Sequence, residues 1–192
     1  SVIKNWIDIN YRYNSKSWNF NTTAKRIIAW LSNSKLTYDD SNEEYKKNFD
    51  LIIHKQTSHL LNQIDNIDDY ENKLIGTAAI ILTGLCYNDE KNFTLKGLNN
   101  LKKIIKSFLD NFGFPKSRNI NTSIIFLKYM IIIREWFRES QTEIPDFINE
   151  NIFYLGQSYA FFWKNLNFDP LFNGNNISNN NQFDIYLKRF GY

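Results

Sequence analysis

The chain has 192 residues, of which 43% are hydrophobic and 22% charged, and its formal net charge at pH 7 is +3. This length suffices for a domain with a buried core, and the small net charge gives no argument for a nucleic-acid partner or an anionic membrane. The single cysteine, Cys86, excludes an internal disulfide, and no Cys/His spacing of a zinc site occurs. We therefore expect neither a metal nor a cofactor.

Hydrophobic periodicity predicts an all-α chain of seven helices. In chain order they cover about residues 1–13, 22–33, 41–64, 69–87, 94–111, 120–140 and 145–164. Ser41 and Glu44 have the spacing of a capping box at the start of the third helix, and Pro145 suits the first turn of the seventh. The run 124–133 is the most apolar, but it is too short to span a bilayer.

Predicted helices that are amphipathic alternate with predicted helices that are apolar nearly all round. The fourth helix is apolar on every side from Leu74 to Leu85, whereas the third and fifth carry one apolar stripe. A two-layer ring or solenoid of helices produces this pattern, because its inner helices are covered on both sides. After residue 165 the sequence becomes rich in Asn and Gly, so we predict a helical domain at 1–165 and a loop or linker at 166–192. Within that linker, residues 182–192 can also begin a strand or another element.

The segment 113–119, Gly-Phe-Pro-Lys-Ser-Arg-Asn, separates two strongly apolar predicted helices. Pro115 lacks a backbone N–H and biases its predecessor away from the helical conformation, so the first of these helices must end here. Lys116, Arg118 and Asn119 then stand at the start of the next helix, whose free N–H groups and dipole attract anions. The segment therefore predicts a site for an anionic or hydroxyl-rich ligand.

Short motifs along nearly the whole chain occur in an order that is typical of one protein family. They are Trp6-Ile7, Trp18, residues 23–31 (TAKRIIAWL), Gln56, and residues 74–76 (LIG), 84–86 (GLC), 113–119 (GFPKSRN), 161–163 (FFW) and 171–174 (LFNG). In this order and spacing, the chain resembles the N-terminal helical domain of heparinase II/III-like polysaccharide lyases, particularly an alphaproteobacterial-type subgroup.

The resemblance implies an incomplete (α/α) toroid that is followed, in a longer protein, by a β-sandwich domain which this chain lacks. It implies cleavage of uronic-acid-containing polysaccharides by β-elimination, and it leaves open whether the substrate is a heparan-type, an alginate-like or another acidic glycan. The expected partners are an acidic polysaccharide and the protein's own β-sandwich domain, with no nucleic acid and no membrane span. No signal peptide is recognisable at the start of the chain, although the family suggests the bacterial periplasm or cell envelope.

Such a lyase must neutralise the uronate carboxylate, remove the proton at C5 and protonate the leaving oxygen. By resemblance, Asn72 matches the neutralising asparagine, while Lys73 stands where relatives carry a histidine and is assigned to substrate binding. Relatives place a catalytic tyrosine shortly after the turn near Gly113, but residues 117–121 contain none. We therefore predict that this chain alone is inactive.

Two further groups of side chains are candidates for substrate binding, each with a structural alternative. Arg118 and Asn119 can hold a sugar carboxylate, or Asn119 caps a helix while Arg118 pairs with a local carboxylate.

Trp18, Trp30 and Arg26 can line a sugar cleft, or they belong to the core, as aromatic residues at helical spacing usually do. Gln56 is a further candidate for the cleft.

Three hypotheses of function remain open. The first is the substrate-cleft domain of a polysaccharide lyase, and the second is a non-catalytic relative that binds acidic glycans. The third is an α-solenoid module for protein interaction, which the absence of a fixed-period repeat disfavours.

Overall fold

The computed structural model describes residues 2–88, 92–161 and 180–192. Within these residues the chain is all-helical, as predicted, and its one β-bridge joins Leu109 to Pro115. The helices are α1 (Val2–Asn10), α2 (Phe20–Leu31), α3 (Ser34–Thr37), α4 (Glu43–Gln63), α5 (Tyr70–Cys86), α6 (Phe93–Phe108), α7 (Ile120–Glu139), α8 (Asp146–Tyr159) and α9 (Asn180–Arg189).

Capping side chains place several helix boundaries a few residues from the predicted ones. Helix α4 is capped by Asn42, whose Oδ1 accepts the N–H of Tyr45 at 2.9 Å, so the capping box predicted at Ser41 does not form. Helix α2 begins two residues earlier than predicted, because Asn19 caps it. The short helix α3 was not predicted, since four residues carry no detectable hydrophobic period.

Helix α9 occupies part of the stretch 166–192 that we predicted to be a loop or linker. The Tyr159 hydroxyl donates to Asp184 at 2.6 Å, and the ring of Phe183 meets that of Tyr159 edge to face. The hydroxyl of Tyr186 donates to the carbonyl of Lys128 on α7 at 3.1 Å. Tertiary contacts thus stabilise a helix that the Asn-rich sequence did not suggest. Residues 166–179 of the predicted linker lie outside the described residues.

The chain divides into two compact units, Ser1–Ile104 and Ile105–Tyr192, and the division between them falls within α6. In the first unit α5 is the central helix, and every residue from Leu74 to Gly84 is buried. Gly76 lets the ring of Phe20 on α2 approach the α5 backbone, where any Cβ would clash with it. The prediction that this helix is covered on all sides is confirmed.

In the second unit α7 packs along α8, and Phe108 stacks on Phe126 with ring centroids 4.5 Å apart. Glu135 is buried on α7 and pairs with Arg134 at 2.9 Å and with Arg138 at 2.5 Å. Of the helices in residues 2–88, 92–161 and 180–192, none combines the length and the hydrophobicity that a membrane crossing requires.

Candidate functional site

In the second unit, the turn that contains residues 113–119 is organised around the carboxylate of Asp110. One carboxylate oxygen accepts the N–H groups of Phe112 and Phe114 at 2.9 and 3.0 Å, and the other pairs with the Arg118 guanidinium at 2.5 Å. Gly113 has a φ of +76°, and a Cβ at this position would lie 2.7 Å from the Cβ of Tyr154 on α8. The turn is therefore a closed, internally bonded loop.

The three candidates on this turn already have local partners. Arg118 adopts a left-handed φ of +60°, and its side chain is 54% exposed beside Asp110. Lys116 donates from Nζ to the carbonyls of Lys106 and Ser107 at 2.9 and 3.1 Å, so it covers the end of α6. Asn119 caps α7 by accepting the N–H of Thr122. These are the structural alternatives that we described for Arg118 and Asn119.

Partial burial alone would raise the pKa of Asp110, but the hydrogen bonds from Phe114, Arg118 and Phe112 outweigh it, and the pKa is lowered. Asp110 therefore stays ionised and neutralises much of the cationic charge that Arg118 offers to an anion. Less positive charge is therefore left for an anionic ligand than the sequence alone indicated.

In the first unit, Trp18 belongs to the core and is not a stacking platform. Its side chain is 5% exposed, and its indole N–H donates to the carbonyl of Asn10 at 3.0 Å. The His59 ring lies edge-on to it, 5.6 Å between centroids, and one His59 nitrogen is 3.1 Å from the Trp18 carbonyl. His59 thereby connects α4 to the segment before α2.

Arg26 also has a structural role, between two aromatic rings. Its guanidinium carbon lies 3.9 Å from the Trp6 ring centroid and 6.0 Å from that of Trp30, and Nη2 donates to the carbonyl of Ser17 at 2.7 Å. Burial lowers the pKa of Arg26 to about 10. Arg26 and Trp30 lie one turn apart on α2, and the guanidinium is half-buried and directed at protein groups.

Gln56 does not face an open cleft. It lies on α4 with no exposed surface, and neither its Oε1 nor its Nε2 has a hydrogen-bond partner among the described residues. A buried, unpaired amide costs stability, and nothing in the structure explains its presence.

Asn72 and Lys73 are half-buried in the first turn of α5. The Asn21 side chain on α2 donates from Nδ2 to the Oδ1 of Asn72, so the starts of the two helices meet here. Asp69 caps α5 by accepting the N–H of Asn72 at 2.7 Å. Asp69 thereby also places its negative charge beside Asn72.

The sequence did not reveal a second cluster in the first unit, which surrounds Asp50 on α4. The hydroxyl of Tyr38 donates to one oxygen of the Asp50 carboxylate at 3.0 Å, and the hydroxyl of Tyr87 donates to the other at 2.7 Å. These three residues stand 12 and 37 positions apart, so no local pattern could have joined them. Trp30 lines the same pocket, whose volume is about 430 Å³.

Both phenols of this cluster hold their protons firmly. Burial, together with the hydrogen bond to Asp50, raises the pKa of Tyr38 to about 12 and raises the pKa of Tyr87 further. Neither phenol is therefore suited to act as a general base near neutral pH.

The candidate residues fall into two sets. Trp18, Arg26, Trp30, Gln56, Asn72 and Lys73 belong to the first unit, and Lys116, Arg118 and Asn119 to the second. The described residues contain no cluster of three His, Cys, Asp or Glu side chains that could hold a metal ion. Of the motifs 161–163 and 171–174, all but Phe161 lie outside the described residues. Compared with models of protein families, with curated proteins and with solved structures, the chain matches none.

Proposed function

We propose that this chain is the helical substrate-binding domain of a heparinase II/III-like lyase that cleaves uronic-acid polysaccharides by β-elimination. In this proposal its helices belong to an incomplete (α/α) toroid, which a β-sandwich domain follows in a longer protein. The order of the motifs and the all-helical structure support the proposal.

The observation that carries the proposal is the environment of Asn72. Because Asn21 donates to its Oδ1, the NH₂ group of Asn72 is left to donate to a ligand oxygen. Lys73 follows in the same half-buried turn and adds a positive charge. An amide donor and an ammonium beside the starts of two helices can bind a carboxylate, whose charge must be neutralised before the C5 proton becomes removable.

The described residues supply binding and neutralisation, not the proton transfers. No tyrosine occurs in residues 117–121, and Tyr87 has a raised pKa. We assign the base and the acid to the β-sandwich domain or to another part of the longer protein.

A non-catalytic protein that binds acidic glycans is the second candidate. Lys73 in place of the histidine favours it, because an ammonium can hold a carboxylate without taking part in elimination. The two candidates share the site and differ in the outcome of the reaction.

The test measures binding and cleavage together. The chain is titrated calorimetrically with heparan sulfate and with alginate, and the same mixtures are followed by the ultraviolet absorbance of unsaturated uronates. We expect both Asn72→Ala and Lys73→Ala to weaken binding about tenfold, or about 1.4 kcal/mol. Lys47→Ala, at an exposed position of α4, removes the same charge elsewhere and serves as the control.

The outcomes separate the candidates. If the polymer binds and the ultraviolet absorbance of unsaturated uronates grows, the lyase is supported. This holds whether the absorbance grows with this chain or with the longer protein. Binding without absorbance in the longer protein supports the non-catalytic candidate. If neither polymer binds, or if Asn72→Ala binds like Lys47→Ala, the site is wrongly assigned.

A further inference from the structure

The pocket around Asp50 lies at the far ends of the helices whose starts carry Asn21 and Asn72. Helices α2 and α5 both end at this pocket, with Leu31 and Cys86 among its lining residues. Its volume of about 430 Å³ is in the range of pockets for small ligands.

Aromatic rings and carboxylates dominate the lining. The rings are those of Trp30, Tyr38, Phe49 and Tyr87, and the carboxylates are those of Asp39 and Asp50. Neither a lysine nor an arginine is among the lining residues, although Lys46 Nζ lies 5.4 Å from the Tyr38 ring centroid. Among the described residues, the lining itself therefore carries no positive charge, although the Arg26 guanidinium carbon lies 6.0 Å from the Trp30 ring centroid.

Helix orientation adds to the negative potential. The carbonyl end of a helix carries about half a negative charge, and the carbonyl ends of both α2 and α5 lie at this pocket. The raised pKa of Tyr38 reflects the same negative environment. Burial and the charges of Asp50, Glu43 and Asp39 all disfavour the phenolate anion that deprotonation of Tyr38 would create.

Aromatic faces attract cations through their quadrupoles, and carboxylates attract them by charge. The combination selects against a uronate or a phosphate, which both carboxylates would repel. A neutral sugar would satisfy the rings and the acceptors, but it would gain nothing from the two negative charges and the helix ends.

We propose that the pocket binds a small organic cation, namely an ammonium group with apolar substituents. The quaternary or primary ammonium lies against the rings of Trp30 and Tyr38, with Asp39 and Asp50 as its counter-ions. This ligand differs in charge from the glycan of the proposed function, so the two proposals stand or fall separately.

The test uses choline as the probe and 3,3-dimethylbutan-1-ol, its uncharged carbon isostere, as the matched control ligand. Cys86 is exposed, lines the pocket and is the single cysteine of the chain, so its alkylation by iodoacetamide reports on this place alone. We expect millimolar choline to slow the alkylation several-fold and the isostere at the same concentration to leave the rate unchanged.

Calorimetric titration of variants with choline shows which carboxylates bind the cation. Asp39→Asn keeps the hydrogen bonds between Asp50 and the two tyrosines, and we expect it to raise the Kd for choline about tenfold. Asp50→Asn should raise it at least as much, with circular dichroism as the check on folding. Asp68→Asn removes one exposed carboxylate before α5, about 25 Å away along the 17-residue helix, and should change nothing.

Equal protection of Cys86 by choline and by the isostere would overturn the proposal. So would a folded Asp39→Asn variant that binds choline as well as Asp68→Asn does. If Asp50→Asn fails to fold, the proposal is still tested by the Asp39→Asn titration and by the comparison of choline with its uncharged isostere.

Discussion

Two glycines of the second unit have opposite requirements, although both lie close to α8. Gly113 has a positive φ and its α-carbon faces Tyr154. Gly156 lies within α8, and apart from its own helix backbone no atom of the described residues lies within 4 Å of the place of a Cβ. We expect Gly113→Ala to lower the free energy of unfolding by about 1–3 kcal/mol, through backbone strain and the close contact. We expect Gly156→Ala to raise it by about 0.5–1 kcal/mol, because alanine favours the helix. Urea denaturation measures both.

Each variant serves as the control for the other, because both add one methyl group to the same unit. A Gly113→Ala variant as stable as the unmodified chain would show that the turn does not adopt the left-handed conformation. Loss of stability in both variants would instead point to general intolerance of substitution around α8.

Single residues were predictable where their partners are close in sequence. Asn119 as a cap follows from its place before an apolar run, and the pairing of Arg118 with a local carboxylate needed only Asp110, eight residues away. Gln56, in the first unit, gave no such signal. Gln56 was expected in a cleft, but its burial depends on how α4 packs in the unit, and a single helix does not determine that.

At the scale of elements, α5 should be the most protected helix of the first unit. All residues from Leu74 to Gly84 are buried, whereas α1 buries Ile7 alone and exposes Val2 and Ile9. We expect the amides of residues 78–84 to exchange with deuterium most slowly in this unit and those of α1 to exchange much faster. Hydrogen exchange followed by mass spectrometry measures the contrast, and equal protection of α1 and α5 would contradict it.

Long helices with a strong hydrophobic pattern were predicted within a few residues, because burial of an apolar face and formation of the helix favour the same boundaries. The observed ranges of α5 and α7 differ from the predicted ones by at most one residue at each end. The short α3 and the Asn-rich α9 were missed. Helix α9 depends on Phe183 and Tyr186, whose partners lie on α8 and α7 and are invisible in the local sequence.

At the scale of the whole chain, deprotonation of buried tyrosines should lower stability at alkaline pH. The pKa values of five phenols are raised, chiefly by burial: Tyr38, Tyr87, Tyr159, Tyr186 and Tyr192. A phenol has a pKa of about 10 in the unfolded chain, so the folded state binds these protons more tightly. The stabilisation is complete below pH 10 and is lost as the pH rises through the folded values, which for Tyr38 means about 12.

We therefore expect the free energy of unfolding, measured in urea, to fall between pH 9.5 and pH 12. Tyr38→Phe should show a smaller fall, because it removes one of the titrating groups while keeping the ring. Tyr11→Phe, at an exposed position, is the control and should behave like the unmodified chain. An identical pH dependence for all three proteins would show that Asp50 does not hold the Tyr38 proton.

The parallel course of α2 and α5 has a consequence for the chain between them. Asn21 and Asn72 are 51 residues apart, so the pairing of these two helices closes a large loop that includes α3 and α4. The entropy of closing such a loop grows only with the logarithm of its length, so residues added at the α3–α4 connection would cost little at equilibrium. The rate of folding is affected more, because distant contacts must form before the buried surface stabilises them. The length of the connection between α2 and α5 therefore affects how fast these two helices pair, in addition to the contacts between the helices themselves.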